Sequence, residues 1–136
     1  MNDLPPGEFP IGSENDIVSA RRIIRNAATA LGFGLTDVTR IVTAASELTR
    51  NIYVHAKSGI MRWRSVHRGS GVGLELTFAD NGPGIPDVAK ALQVGYTTGT
   101  GLGMGLPGSK RLTDEMTIQS EVGRGTTIVV RKWLPT

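Results

Sequence analysis

The sequence predicts an α+β fold, a two-layer α/β sandwich with helices on one face of a mixed, mostly antiparallel sheet. Three observations predict it. Apolar residues recur at three- and four-residue steps over 17–31 and again over 38–52, which marks two amphipathic helices. Alternating apolar runs at 60–66 and 72–78, joined by Arg68-Gly69-Ser70-Gly71, read as one hairpin; runs at 116–120 and 126–133, turned at Gly123-Arg124-Gly125, read as another. The resulting order is β, α, α, β, β, α, α, β, β, with no repeat and no linker, which segregates helices onto one side of hairpin-built strands.

Taken in order, residues 1–7 are expected to be a disordered tail on a single domain spanning 1–136. Glu8 to Ile11 is a short edge strand, since Pro10 is tolerated only at an edge. Ser13, Glu14, Asn15 and Asp16 offer capping groups to the first helix, whose stripe is Ile17, Val18, Ile23, Ile24, Ala27, Ala28 and Leu31. Gly32 and Gly34 stop it. Thr36 or Asp37 caps the second helix, with Val38, Ile41, Val42, Ala45, Leu48 and Ile52 inward. That helix carries Glu47 and Asn51 at i and i+4, on one side and bordering the apolar stripe. A polar pair beside a buried face needs partners; spacing alone also fits a solvated pair on the helix flank.

The 72–78 strand ends in Asp80-Asn81-Gly82-Pro83-Gly84-Ile85-Pro86. This is a poor stretch for core and a good one for a flat polar ligand: the carboxylate takes an amino group, and the two glycines let a ring lie against the main chain. An ordinary Asn-Gly/Pro-Gly turn would look the same in isolation. Pro86 to Leu92 reads as a short helix. Residues 94–105 are rich in Gly and Thr, and a further helix is expected from Leu106 to Thr113 with Pro107 in its first turn.

Composition narrows the function classes. No apolar run approaches the roughly 20 residues needed to cross a bilayer, and Met1 to Gly7 lacks the basic-then-apolar pattern of a secretory signal. The absence of cysteine excludes disulfides, thiolate metal sites and a cysteine nucleophile, and fits a reducing, cytoplasmic setting. Two histidines make a histidine zinc site a poor fit. The net charge of +3 is modest; Arg21, Arg22 and Arg25 share one helix, and Arg62, Arg64 and Arg68 the next strand and turn. With aromatics at 5%, these clusters fit solvated faces or an acidic protein partner better than nucleic acid.

A glycine run that opens a helix cradles phosphate, because bare N–H groups point outward and the helix end favours negative charge. Gly99-x-Gly101-x-Gly103-x-Gly105 before Leu106 has that form. It is neither a Walker loop, lacking Gly-Lys-Ser/Thr, nor a dinucleotide fingerprint, lacking the βαβ unit. Combined into one site, Asp80 holds an amino group, Gly82 and Gly84 floor a ring, and Gly99 to Gly105 wrap a polyphosphate. Asn51 supplies a neutral oxygen for Mg²⁺, and Glu47 stands one turn away as a base.

The set Glu47-x-x-x-Asn51, Asp80-x-Gly82-x-Gly84 and Gly99-x-Gly101-x-Gly103-x-Gly105 resembles the Bergerat-type ATP-binding fold shared by gyrase, the heat-shock chaperone, histidine kinases and MutL, over about residues 40–130. The late Gly125-Thr126-Thr127 resembles the Gly-Thr whose threonine supports the adenine-reading aspartate. Ser46 to Tyr53, the run from Gly101 to Glu115 that contains Leu106-Pro107-Gly108-x-Lys110-Arg111, and the closing Lys132-Trp133-Leu134 are more narrowly similar to the RsbT-type stressosome switch kinases, small bacterial serine/threonine kinases of the anti-sigma class.

The resemblance implies ATP and Mg²⁺ as cofactors, Glu47 as the catalytic base and Asn51 as the metal ligand. It implies a nucleotide set of Asn51, Asp80, Gly82, Gly84, Ile85 and Thr126, together with a lid of Thr98, Gly99, Gly101, Leu102, Gly103, Met104 and Gly105, with Thr97 and Thr100 beside it. The implied partners are anti-sigma-antagonist-fold protein substrates, a stressosome scaffold and a downstream phosphatase, with no nucleic acid and no membrane. The alternatives are an anti-sigma factor that sequesters a sigma factor and a non-catalytic nucleotide-gated binding module.

Overall fold

The computed structural model describes residues 4–88 and 102–135, with only the backbone considered over 102–105. The chain runs β1 (Gly7–Ile11), α1 (Asn15–Leu31), α2 (Leu35–Asn51), a π-helical turn (Ile52–Ala56), β2 (Gly59–Arg68), β3 (Gly71–Asp80), α3 (Leu102–Leu112), β4 (Glu115–Glu121) and β5 (Gly125–Trp133). The sheet order is β1-β2-β3-β5-β4. Every pairing is antiparallel, so the mixed component expected of the sheet is absent among the described residues. The remainder is the α+β sandwich that the patterning called for.

Alternation decides which side of the sheet is covered. Leu74, Leu76 and Phe78 of β3 and Ile128 and Val130 of β5 face the helices and are buried. They meet Ile24, Ala28 and Leu31 of α1 and Ile41, Ala45 and Leu48 of α2 in one apolar cluster. Fully burying each large aliphatic side chain contributes about 1.5–3 kcal/mol. The helices therefore follow from their stripes.

Their ends differ from the expected capping. Asp16 does not cap α1 forward; its carboxylate reaches back and accepts from the N–H groups of Gly12 (2.8 Å) and Ser13 (2.9 Å). Helix α2 starts after Gly34 with no side-chain cap, so neither Thr36 nor Asp37 serves as one. Asp37 pairs with Arg40 instead.

Three further differences have local causes. Part of the stretch expected as a tail is packed: Gly7 pairs with Trp63, whose indole occupies the space a Gly7 side chain would take, and Leu4 packs on the core with its N–H donated to Ser65 Oγ. Helix α3 begins at Leu102 rather than Leu106, which places Gly103, Met104 and Gly105 within helical backbone and Pro107 in the helix interior. The short helix expected over 86–92 lies outside the described residues beyond Val88.

The uncovered face of the sheet is tied by ion pairs. Glu75 of β3, buried, accepts from Arg64 Nε (2.8 Å) and Arg131 Nε (2.8 Å). Glu115 accepts from Arg68, Arg131 and the Trp133 indole N–H. For Glu75, burial works against ionisation, but the bonds from Arg64 and Arg131 outweigh it and hold the carboxyl below its ordinary value of 4.5. Hydrogen bonds from Arg68 and Trp133 hold Glu115 at about 2.

Both groups are more acidic folded than unfolded, so the unfolded chain takes up their protons first as pH falls. Their contribution to stability is present above pH 4.5 and is lost from there toward about 2. A Glu75→Gln, Glu115→Gln double variant is therefore expected to lose less stability than wild type across that window. Urea midpoints measured at successive pH values check this, and parallel acid limbs would refute it.

Candidate functional site

The site forms at the end of the sheet where β3 stops and β5 starts. Asp80, the last residue of β3, lies opposite Thr126 on β5. The backbones meet closely there. A side chain at Gly125 would strike the Asp80 carbonyl oxygen and come within 2.8 Å of Asn81 Cα, and its φ of +111° is open to glycine and costly for other residues.

The loop after β3 is bound to the β4–β5 turn. Gly123 N–H donates to the Pro83 carbonyl (2.9 Å), and Ile85 N–H donates to Ser120 Oγ (2.7 Å). The Ser120 hydroxyl also meets Thr126 Oγ1 (2.8 Å) and the Gly125 carbonyl (3.2 Å). Thr126 thus sits opposite Asp80 in the register, while its hydroxyl bonds Ser120.

The pocket so framed is lined by Leu48, Asn51, Ile52 and His55 on the helix side, Phe78 and Asp80 of β3, Pro83, Gly84 and Ile85 of the loop, and Thr126 and Ile128 of β5. Asp80 Oδ1 accepts the Gly82 N–H (2.9 Å), an Asx turn that fixes the carboxylate. The room left by Gly82 is taken by Ala56 of the π-helical turn, and that left by Gly84 by the Glu121–Val122 backbone. Part of what the sequence reading gave to a ligand is therefore used by the chain itself.

Two polar atoms stand out. Among the described residues, Asn51 Nδ2 and His55 Nε2 are buried without a hydrogen-bond partner. Buried polar groups are nearly always paired, so unpaired ones on a pocket wall point to a missing partner. Burial pushes the His55 pKa below its ordinary value, with the Asp80 charge working the other way.

The sequence reading missed His55. It continues the stride Glu47, Asn51, His55, and that repeat was the available signal. Ser120 left no signal, because its role depends on the β4–β5 turn closing over the loop. Glu47 is half-buried on α2, one turn before Asn51 and off the pocket wall; among the described residues its carboxylate makes no ion pair. Gly103, Met104 and Gly105 follow Leu102 in the opening turns of α3, whereas Thr98, Gly99 and Gly101 lie outside the described residues.

The family described as "Histidine kinase-, DNA gyrase B-, and HSP90-like ATPase" matches residues 36–136, from the first turn of α2 through β5. The chain belongs to this ATPase family. Among curated relatives of this domain, the serine/threonine-protein kinase RsbT of Bacillus subtilis (strain 168) is 49% identical over 91% of the chain and 93% of its own length. The anti-sigma F factor of Geobacillus kaustophilus (strain HTA426) is 34% identical over 92% of the chain and 88% of its own length. A crystal structure of the RsbU and RsbW domains of a Mycobacterium tuberculosis protein superposes with a TM-score of 0.67 at 21% identity. It covers 98% of this chain, which spans 34% of that longer one, and it supports the fold.

The closely packed end of the sheet gives a graded expectation. Ser120→Ala leaves the Ile85 N–H unpaired and should cost about 1–3 kcal/mol. Gly125→Ala must displace β5 from Asp80 and should cost more. Urea unfolding measures both, and equal midpoints for Gly125→Ala and wild type would refute the close approach.

Proposed function

We propose that the chain is a serine/threonine protein kinase that uses Mg-ATP to phosphorylate proteins of the anti-sigma-antagonist fold, as a cytoplasmic switch in bacterial stress signalling. The observation that carries this reading is the convergence of Asp80, Asn51 and Thr126 in one pocket of an ATPase-family chain that is 49% identical to a protein named serine/threonine-protein kinase. A stressosome scaffold and a downstream phosphatase are its further partners in this reading. Sequestration of a sigma factor has the 34% identity to an anti-sigma F factor in its favour and stands second.

Each residue then has a defined task. The Gly82 N–H holds Asp80 Oδ1, which leaves Oδ2 to accept an adenine amino group. Leu48, Ile52, Phe78, Ile85 and Ile128 offer the ring apolar walls, around a cavity of about 30 Å³ that has to widen to admit it. The residues present fit a metal-bound nucleotide: the Asn51 amide has a neutral oxygen that would hold the metal, and its buried Nδ2, unpaired among the described residues, is a donor that a phosphate oxygen would satisfy. Mg²⁺, when bound there, neutralises phosphate charge.

The opening turn of α3 presents backbone N–H groups to the phosphates. Glu47, with no cation of its own among the described residues, orients the incoming hydroxyl and takes its proton. Such transfer depends on positioning and charge neutralisation more than on covalent chemistry.

Transfer of labelled γ-phosphate to an anti-sigma-antagonist-fold protein from the same genome tests the reading. Wild type is expected to label serine or threonine. Glu47→Ala should keep ATP bound and lose about 10²–10⁴-fold in rate. Asn51→Ala should lose Mg-dependent ATP binding without a change in unfolding midpoint. ATP binding with no labelled product would overturn the kinase assignment.

A further inference from the structure

Among the described residues, four side-chain polar atoms are buried without a hydrogen-bond partner, and two of them, Asn51 Nδ2 and His55 Nε2, belong to residues of one pocket wall. The kinase reading gives Asn51 a task and His55 none. An imidazole nitrogen left unmet beside an apolar cavity destabilises the fold unless a further group meets it.

The backbone beneath His55 is shaped for its placement. In an α-helix four residues advance 400°, so each i+4 step drifts about 40° around the axis. Glu47 to Asn51 is one such step. A second would carry residue 55 toward the buried side of Leu48. The chain instead widens into the π-helical turn Ile52–Ala56, whose i→i+5 bonding takes fewer degrees per residue and checks the drift. His55 therefore stays nearly in line with Asn51.

Both ends of this turn are held. Ile52 is buried and fills space that a side chain at Gly59 would need, and Ala56 does the same at Gly82. The turn closes at Lys57 with φ +70° and ψ −34°, the one positive φ outside glycine among the described residues. A residue with a side chain takes that conformation at a cost, and such outliers gather at functional sites, as π-helical turns do. A costly turn that delivers an unmet nitrogen to a pocket points to a ligand.

The place of His55 says which part of the ligand it meets. Asn51 precedes it along the helix, and the Asp80 carboxylate is near enough on the other side for its charge to act on the ring. The inference rests on the reading of this pocket as an ATP site, in which Asp80 takes the adenine and Asn51 the metal-bound phosphates. Between these lie the sugar and the α-phosphate. The two unmet atoms decide between them. An amide nitrogen only donates, and a neutral imidazole donates at Nε2 in one of its tautomers. A phosphate oxygen accepts from both and brings no donor of its own, whereas a sugar hydroxyl brings a further proton to place.

We propose that His55 is a nucleotide-binding residue whose Nε2–H donates to the α-phosphate, and that the π-helical turn sets it there. One buried water shared by Asn51 and His55 is the competing account, and it gives His55 no effect on nucleotide affinity.

The test titrates metal-free ADP, AMP and adenosine into the full chain, so that Mg²⁺ at Asn51 contributes nothing. His55→Leu removes the donor and keeps an apolar filling. His55→Gln keeps an N–H donor at a reach close to that of Nε2, and His55→Asn keeps an amide that falls short. His55→Leu is expected to weaken ADP and AMP about ten- to hundredfold and to leave adenosine within about twofold. Its nucleotide-free urea midpoint should equal or exceed that of wild type, because an unmet polar group is gone. His55→Gln should recover most of the ADP affinity and His55→Asn should not. A histidine that only packs predicts the reverse, a lower midpoint for His55→Leu with ADP affinity kept. Should His55→Leu not fold, the other two variants decide, and equal ADP affinities for them overturn the assignment. ADP affinity unchanged in His55→Leu, or adenosine weakened as much as ADP, also overturns it; where wild type still binds ADP and transfers phosphate, the kinase reading stands. Wild type that binds neither ADP nor AMP overturns both.

Discussion

The approach of Gly125 to the Asp80 backbone is the constraint on which the pocket depends. It brings the start of β5 against the end of β3 more closely than a side chain permits, so the carboxylate of one strand and the hydroxyl of the other share a wall. Ser120 extends the constraint outward. One hydroxyl ties the loop after β3 to the last hairpin through Ile85, Gly125 and Thr126. The π-helical turn completes it from the helix side by setting Ala56 where Gly82 has no side chain. Three segments distant in sequence thus frame one cavity.

Much of this was legible in the sequence because it is periodic. The stripes of α1 and α2 and the alternation in β3 and β5 follow from burial on one face, and a two-residue reversal after Arg68 follows from its glycines. Asp80, Asn51 and Thr126 could be assembled into one site because each sits at a marked position: a strand end, a helix flank and a Gly-Thr strand start. What was not legible depends on contacts across the fold. Asp16 caps backward because β1 delivers Gly12 and Ser13 to it. The early start of α3 overrides the weak helix propensity of Gly103 and Gly105. The pairing of Arg64 with Glu75 follows from the β2–β3 hairpin register, whereas that of Arg68 with Glu115 also needs the β3–β5 and β4–β5 registers, which composition does not contain.

The relatives frame how one fold serves two regulatory roles. A chain 49% identical bears the name of a protein kinase, and one 34% identical bears the name of an anti-sigma factor. Both align along nearly their whole length with this domain. Differences of partner must therefore be written on surfaces, and here the two exposed layers are unlike each other. The open sheet is locked by its own ion pairs, whereas the arginines of α1 make no ion pair among the described residues.

Helix α2 joins the core to the pocket. Leu48 and Ile52 are buried in the core and also line the pocket, on the same turns that carry Glu47 and Asn51. A change at Leu48 or Ile52 therefore reaches both the core and the pocket wall. Divergence between family members should then leave the inner side of α2 nearly fixed and accumulate on α1 and the sheet's open face. A lineage can acquire a new interlocutor while its phosphate-handling machinery stays as it was.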